Sequence, residues 1–343
     1  MKSLSGGKNT VLLDDLEMPS IMVRIPKFKI SDVIEGGPDV IHPAFIVNGV
    51  VKDVIYISKY QNIIIKNRAY SLPYKDPSVF MTYDQAKYYC ENKGKGWHLM
   101  TNAEWAAIAL WSKKNGTIPR CNNNHGSDCD ASHKKCVITY YNGKTPCRVA
   151  TGSGPAAWSH DGTNEGIFDL NGNIWEYVSG VRIKEGEIQI TPDNDAAQSI
   201  DHTKDSPFWK AILPDSSIVS PGAKDTLKYY TADKNDSGIG TAQLNTCIDH
   251  DGSEESTMIC PYESIEKANH INDSSLLKAL CLYPTDQSNQ TDVVWANTSG
   301  ERIPIRGGYW VNGSQAGIFA LGFGLTREES YFDVGCRCCY YDY

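Results

Sequence analysis

Ala320-Leu321-Gly322-Phe323-Gly324-Leu325-Thr326-Arg327-Glu328-Glu329-Ser330-Tyr331-Phe332-Asp333-Val334-Gly335-Cys336-Arg337 stands close to the C-terminal end, and its middle obeys no period. Between Gly322 and Asp333, glycines, aromatics, an arginine, two glutamates and an aspartate follow without the alternation of a half-buried strand or the spacing of an amphipathic helix. Stiff flanks enclose them: Arg306-Gly307-Gly308-Tyr309-Trp310 on one side and Val334-Gly335-Cys336-Arg337 on the other. Side chains set down without regard to burial, between rigid ends, point to a contact surface.

The rest of the chain limits what that surface meets. With 343 residues, 41% hydrophobic and 22% charged, it has the composition of a soluble globular protein and buries a core without staples. A net charge of −8 and the lack of any clustered Lys/Arg run argue against nucleic acid and disfavour acidic or phosphorylated partners. Residues 1–7 contain no apolar core of a signal peptide. No apolar run approaches the roughly 18 residues of a membrane span, so a soluble chain without membrane insertion is expected. Eleven cysteines, an odd number, read by default as mostly reduced thiols. The Asn-x-Ser/Thr sequons at Asn115, Asn235, Asn272, Asn289, Asn297 and Asn312 then count as chance matches.

Along the chain, residues 1–20 read as a flexible polar lead-in. Strands are expected over residues 21–30, with Pro26 favouring an edge or a bulge, and over 44–47 and 54–60. Thr82-Tyr83-Asp84-Gln85 and Thr101-Asn102-Ala103-Glu104 are capping boxes, in which the Thr hydroxyl and the Gln or Glu satisfy free first-turn amides. They predict helices from Tyr83 to about Glu91 and from Asn102 to about residue 113. The second mixes its faces, so burial on more than one side is expected. Residues 119–166 are loop-like. Residues 181–300 are polar, with a short helix or strand candidate at 274–282, and read as an insertion on the core of a single domain covering 21–343.

Four separated pieces carry a resemblance. They are Tyr56-Ile57-Ser58-Lys59-Tyr60; Trp97-His98-Leu99-Met100-Thr101-Asn102-Ala103-Glu104-Trp105; Gly166-Ile167-Phe168-Asp169-Leu170-Asn171-Gly172-Asn173-Ile174-Trp175-Glu176-Tyr177; and Arg306-Gly307-Gly308 with Gly335-Cys336-Arg337. In this order they resemble the formylglycine-generating-enzyme (sulfatase-modifying factor) superfamily, with its "RLPTEAEWE", "GLYDMHGNVWEW", "RGGSW" and "GFRC" patterns. The resemblance implies an α+β fold of C-type-lectin type, with two capped helices, small antiparallel sheets and much irregular loop. It covers roughly residues 21–180 and 301–339. On their own terms, Gly172 and Asn173 suit a turn of positive φ, Trp175 and Tyr177 are rigid fillers, and Arg337 can bond several carbonyls at once.

Within that superfamily, residues 320–337 resemble the pattern "ALNLNNARSNSNTNIGFR" of variable proteins diversified by retroelements. There, adenine-randomising reverse transcription turns Asn codons into Tyr, Phe, Asp, Val, Gly or Leu. The resemblance implies a variable region over about 309–333, with ligand-binding positions Tyr309, Val311, Gly322, Phe323, Gly324, Leu325, Glu329, Tyr331, Phe332 and Asp333. Trp310 would add contact area. Arg306, Gly307, Gly308, Phe319, Leu321, Val334, Gly335 and Arg337 would hold the fold. It further implies receptor binding from a rigid scaffold, as in a phage-tail host-attachment protein or a bacterial surface protein. The partner would be a host-cell protein or glycan, bound by a homo-oligomer with gained avidity.

Rival chemistries lack their residues. An oxidase of the formylglycine-generating type needs cysteines after Arg-Gly-Gly, and residues 311–333 hold none. The histidines at 42, 98, 125, 133, 160, 202, 250 and 270 are too scattered for the iron triad of a sulfoxide synthase. No catalysis and no required cofactor are therefore expected. Cys121, His125, Cys129, His133 and Cys136, with Cys147 nearby, lack the Cys-x2-Cys knuckle of specific zinc sites, leaving zinc, disulfides or free thiols open. Cys336, Cys338 and Cys339 read as packing. Asn173, the Ile174 carbonyl and Glu176 match a place where some superfamily members hold calcium, or else these groups pair within the core. A fixed-site lectin or a structural tail protein is the remaining alternative.

Overall fold

A computed structural model describes residues 1–248, 256–286 and 291–343; His250 and Asn289 lie outside the described residues. The chain is mostly β, with four α-helices among the described residues. None of those helices is long and apolar enough to cross a membrane.

The two capped helices form at Tyr83–Glu91 and Asn102–Lys114. Thr82 Oγ1 accepts the Gln85 amide at 3.2 Å while Gln85 Oε1 accepts that of Thr82 at 3.0 Å. Thr101 and Glu104 repeat the exchange at 3.1 and 2.9 Å. Ten of the thirteen residues of the second helix are buried, which explains why its apolar residues keep to no single stripe.

Five strands make the smaller sheet, in the order Asn9–Leu13, Pro19–Pro26, Val54–Ser58, Cys338–Tyr341 and Trp97–Leu99. The expected lead-in is thus partly strand. Asn9–Leu13 folds back on Pro19–Pro26, and the buried Asn9 side chain accepts from Lys59 Nζ at 2.7 Å. A five-residue edge strand after a polar start has too short an alternation to announce itself. The strand expected over 21–30 stops at Pro26, and it is not an edge, since it lies between Asn9–Leu13 and Val54–Ser58. The strand expected at 44–47 opens as the 3-10 turn Pro43–Phe45, leaving only Ile46–Val47 extended.

The larger sheet takes up much of residues 181–300, which are richer in strand than their polar composition suggests. Val181–Lys184, Glu187–Ile190, Lys228–Ala232, Ile239–Asn245, Thr257–Pro261, Val293–Asn297, Gly317–Leu325 and Glu301–Gly307 each pair with the next, and the last pairs back to the first. The result is a closed eight-stranded circuit, six of whose strands come from residues 181–300. Its narrowest seam is Glu187↔Lys228, reinforced by amide-to-carbonyl bonds from Ile188 to Leu227 (3.0 Å) and from Tyr229 to Gly186 (2.9 Å). Ile183, Ile188, Tyr229, Leu244, Met258, Val294 and Phe323 belong to one buried cluster. Closure satisfies the edges that an open sheet leaves exposed. Alternation is clean where it matters: Ile239–Asn245 buries every second side chain, so its polar residues are the outer face of a strand.

The glycine-rich pieces tie this circuit to the rest. Trp175–Tyr177 lies between Glu301–Gly307, antiparallel, and Val334–Cys336, parallel. Gly172 and Asn173 adopt φ of 89° and 65°, the turn expected of them. Arg337, wholly buried, donates from Nε and Nη2 to the Glu176 carboxylate at 2.9 and 2.8 Å, and to the carbonyls of Ser58 and Phe168, each at 2.9 Å. Arg306, also buried, donates to Asn102 Oδ1 at 2.6 Å and to the Cys281 carbonyl at 3.0 Å.

Candidate functional site

On the outer face of the large sheet, cross-strand pairing sets Ile259 opposite Trp295, Trp295 beside Gly322, and Gly322 opposite Ile305. A Cβ at Gly322 would lie 2.7 Å from Ile305 Cγ1, and one at Gly324 would overlap the Trp295 ring. Two glycines on one strand therefore leave room for the large side chains of its neighbours to lean over it. Trp295 and Ile305 become part of a groove of about 460 Å³, whose lining also takes in Trp175, Val293, Leu325 and Val334. That volume is in the range of small-molecule and side-chain pockets.

The second wall is the loop 331–333, where the backbone is held and the side chains are left over. The Tyr331 carbonyl accepts from the Phe80 amide at 3.0 Å and the Asp333 carbonyl from the Trp175 amide at 2.8 Å. The Phe332 carbonyl accepts from Arg148 Nη1 at 3.4 Å, and Arg148 is itself gripped by Asp76. Tyr331 and Phe332 nevertheless stay 39% and 45% exposed, far above what aromatic side chains with core duties show. Tyr309, Asn312 and Gln315 close the far end. Asn312 Oδ1 accepts the Tyr309 amide at 2.9 Å, fixing the turn that presents Tyr309.

Asp333 is the only carboxylate among the described residues of the lining. Burial among apolar groups pushes its pKa up to about 6.

The expected binding positions thus divide. Tyr309, Leu325, Tyr331, Phe332 and Asp333 line the groove together. Gly322 and Gly324 lie beneath it and give space. Glu329 stands behind it: its carboxylate accepts from the Thr326 amide at 2.7 Å and from the Tyr331 hydroxyl at 2.8 Å, steering that ring. Trp310 is buried, with its ring 5.2 Å from Tyr309 and 5.7 Å from Phe332, and acts as a buttress. Val311 is exposed but outside the lining. Phe323 is fully buried against Tyr229, inside the strand circuit, and cannot meet a ligand. Sequence reasoning missed Trp175, Ile259, Val293, Trp295 and Ile305. Val293–Asn297 reads Val-Val-Trp-Ala-Asn without alternation, so nothing in it says which face is outer until its pairing partners are known.

The metal expectations meet occupied or scattered donors. Gln61 Nε2 stands 3.1 Å from the Ile174 carbonyl, 3.0 Å from Glu176 Oε1, 3.1 Å from the Asp169 carbonyl and 3.4 Å from that of Gly172. Asn173 spends its side chain on Gln61 and the Val149 amide. Calcium among Asn173, Ile174 and Glu176 would have to take the place of that amide. The ligand atoms of Cys121, His125, Cys129, His133 and Cys136 do not gather into a metal-sized cluster among the described residues. Cys121 instead donates to Asp169 and Cys136 to the Gly126 carbonyl, and none of the eleven cysteines is bridged in a disulfide.

No protein-family model matches this chain. No curated protein matches it either. Solved structures similar to it include PvdO from Pseudomonas aeruginosa, at 14% identity and a TM-score of 0.39, covering 97% of this chain and 98% of that one. Treponema denticola variable protein 1 follows at 10% and 0.36, covering 97% and 99%. The P3c variant of the Major Tropism Determinant stands at 8% and 0.31, covering 97% and 71%. Likeness this distant decides neither activity nor partner.

Proposed function

We propose that this chain is a receptor-binding variable protein on a scaffold of C-type-lectin type, diversified by a retroelement, and that the aromatic groove is its binding site. The observation that carries the reading is the loop 331–333: its three carbonyls are tied down while Tyr331 and Phe332 stay exposed beside Asp333. Such a loop tolerates exchange of its side chains because the backbone does not depend on them. Rigid aromatics on a fixed frame give contact area at low entropic cost. The chain is then a non-enzymatic adhesin, on a phage tail or a bacterial surface, oligomeric, and directed at a component of a host cell. A fixed-site lectin or structural tail protein is the alternative, and the flanking DNA separates them: a reverse-transcriptase gene and a repeat with adenine-rich codons at 309 and 331–333 belong only to the first reading.

Exchanging Tyr309, Tyr331, Phe332 and Asp333 together should abolish adsorption to the host cell, while the melting temperature moves little. Unchanged adsorption by that variant refutes the proposal.

A further inference from the structure

The ligand chemistry of the groove can be narrowed, an inference that rests on the function just proposed. Its walls are aromatic or aliphatic, its polar side-chain groups are those of Asn312, Gln315, Asp333, the tyrosine hydroxyls and the indole N–H of Trp175 and Trp295, and among the described residues of the lining Asp333 alone carries a formal charge. Among the described residues no lysine, arginine or histidine pairs with the Asp333 carboxylate. The titratable groups whose fields reach it are the phenols of Tyr177, Tyr309 and Tyr331. Tyr177 donates its proton to the Glu329 carbonyl and Tyr331 to the Glu329 carboxylate. A half-buried acid without a cation, faced by aromatic rings, is an incomplete pair. Ring faces attract cations by their quadrupole, and the carboxylate adds a directed charge.

We propose that the groove receives a lysine or arginine side chain, flanked by aliphatic residues, from a polypeptide segment of the partner. Several features choose this occupant. The cavity, about 460 Å³, exceeds an ammonium group alone and leaves room for its stem and an apolar neighbour beside Ile259, Val293 and Leu325. A saccharide would need many donors and acceptors where this lining offers few. The chain's net charge of −8 favours approach of a basic segment. Burial holds the acid near neutrality until about pH 6, so the free groove does not carry a fully unpaired charge under mildly acidic conditions.

The test uses the full chain and four capped pentapeptides, with lysine, arginine, norleucine or glutamate flanked by leucines, titrated by calorimetry at pH 7.5. Lysine and arginine peptides should bind at least tenfold tighter than the norleucine one, and the glutamate peptide weakest. Asp333→Asn should remove that margin by weakening lysine and arginine binding far more than norleucine binding, and Asp333→Lys should favour glutamate. Asp333→Ser, with circular dichroism alongside, guards against misfolding in either variant. Equal binding of lysine and norleucine, no binding of any peptide, or an indifferent Asp333→Asn overturns the proposal. So does phosphocholine binding in the groove without peptide binding, which would mean a small headgroup. If the peptides behave as expected but groove variants still adsorb to host cells, the attachment function fails and the cation preference stands. If adsorption is lost without any cation preference, the reverse holds.

Discussion

Gly324→Ala separates a glycine that serves the groove from one that serves the core. The added methyl would overlap the Trp295 ring, and Gly324 has an ordinary φ, so the cost is steric and not conformational. Trp295 is half-buried and has the groove in front of it, so the indole can swing outward. Overpacking costs about 1–3 kcal/mol, and a ring with somewhere to go belongs at the low end, about 1 kcal/mol. Gly322→Ala is the contrast. Its methyl would meet Ile305, which at 1% exposed has less room to move than Trp295, so about 2–3 kcal/mol is expected. Urea unfolding measures both, and tryptophan emission with ligand adsorption reports the groove. Gly324→Ala should shift the emission and lose binding at small cost in stability. In a Trp295→Ala background the same substitution should cost less than about 0.5 kcal/mol, because the collision is gone. The steric account is refuted if Gly324→Ala leaves emission and binding as they were, or costs as much without Trp295 as with it. Either result would also restore Gly324 as a position free to vary.

Glu176→Gln should destabilise by about 3–5 kcal/mol in urea unfolding, because it leaves the wholly buried Arg337 guanidinium without its carboxylate. His98 shows how buried charge couples to pH: burial pushes its pKa down, but Glu104, 2.9 Å away, pulls harder and the net shift is upward. A raised histidine pKa stabilises the fold fully below the unfolded value of about 6.5 and loses that contribution as pH rises through the folded value. His98→Gln should therefore flatten stability against pH over that alkaline window, and an unchanged slope would rule the pair out as its source. Lys93 is fully buried, with Nζ 3.4 Å from Cys338 Sγ and 3.5 Å from the Trp97 ring centroid. Burial opposes ionisation of Cys338, but the Cys90 thiol and the Lys93 ammonium outweigh it and bring its pKa down to about 5. Thiolate absorption near 240 nm should be present at pH 7 and vanish in both Cys338→Ala and Lys93→Met.

What could be read from the sequence was local or carried by resemblance. Both capping boxes lie within four residues of chain, so Tyr83–Glu91 and Asn102–Lys114 begin where Thr82 and Thr101 say they should. Gly172 and Asn173 announce their turn because positive φ is a property of single residues. The frame residues Arg306 and Arg337 were visible as frame, and the misfits at 309 and 331–333 as surface. What was not visible depends on pairing between distant strands. Nothing local says that Glu187–Ile190 meets Lys228–Ala232, or that the circuit closes through Val181–Lys184. Polar residues alternating along strands such as Ile239–Asn245 made the segment resemble loop, although there they are the outer face of a sheet.

The sequence by itself determined where helices start, which turns need glycine and which side chains have no place in a core. Only the tertiary structure decided that Phe323 points into the strand circuit while Gly322 and Gly324 clear space for Ile305 and Trp295. It alone set Ile259 and Trp295 against Tyr331, Phe332 and Asp333 as walls of one groove. The physical reason is register: side chains alternate across a strand with period two, and which face is outer is settled by the neighbour it pairs with, not by the strand.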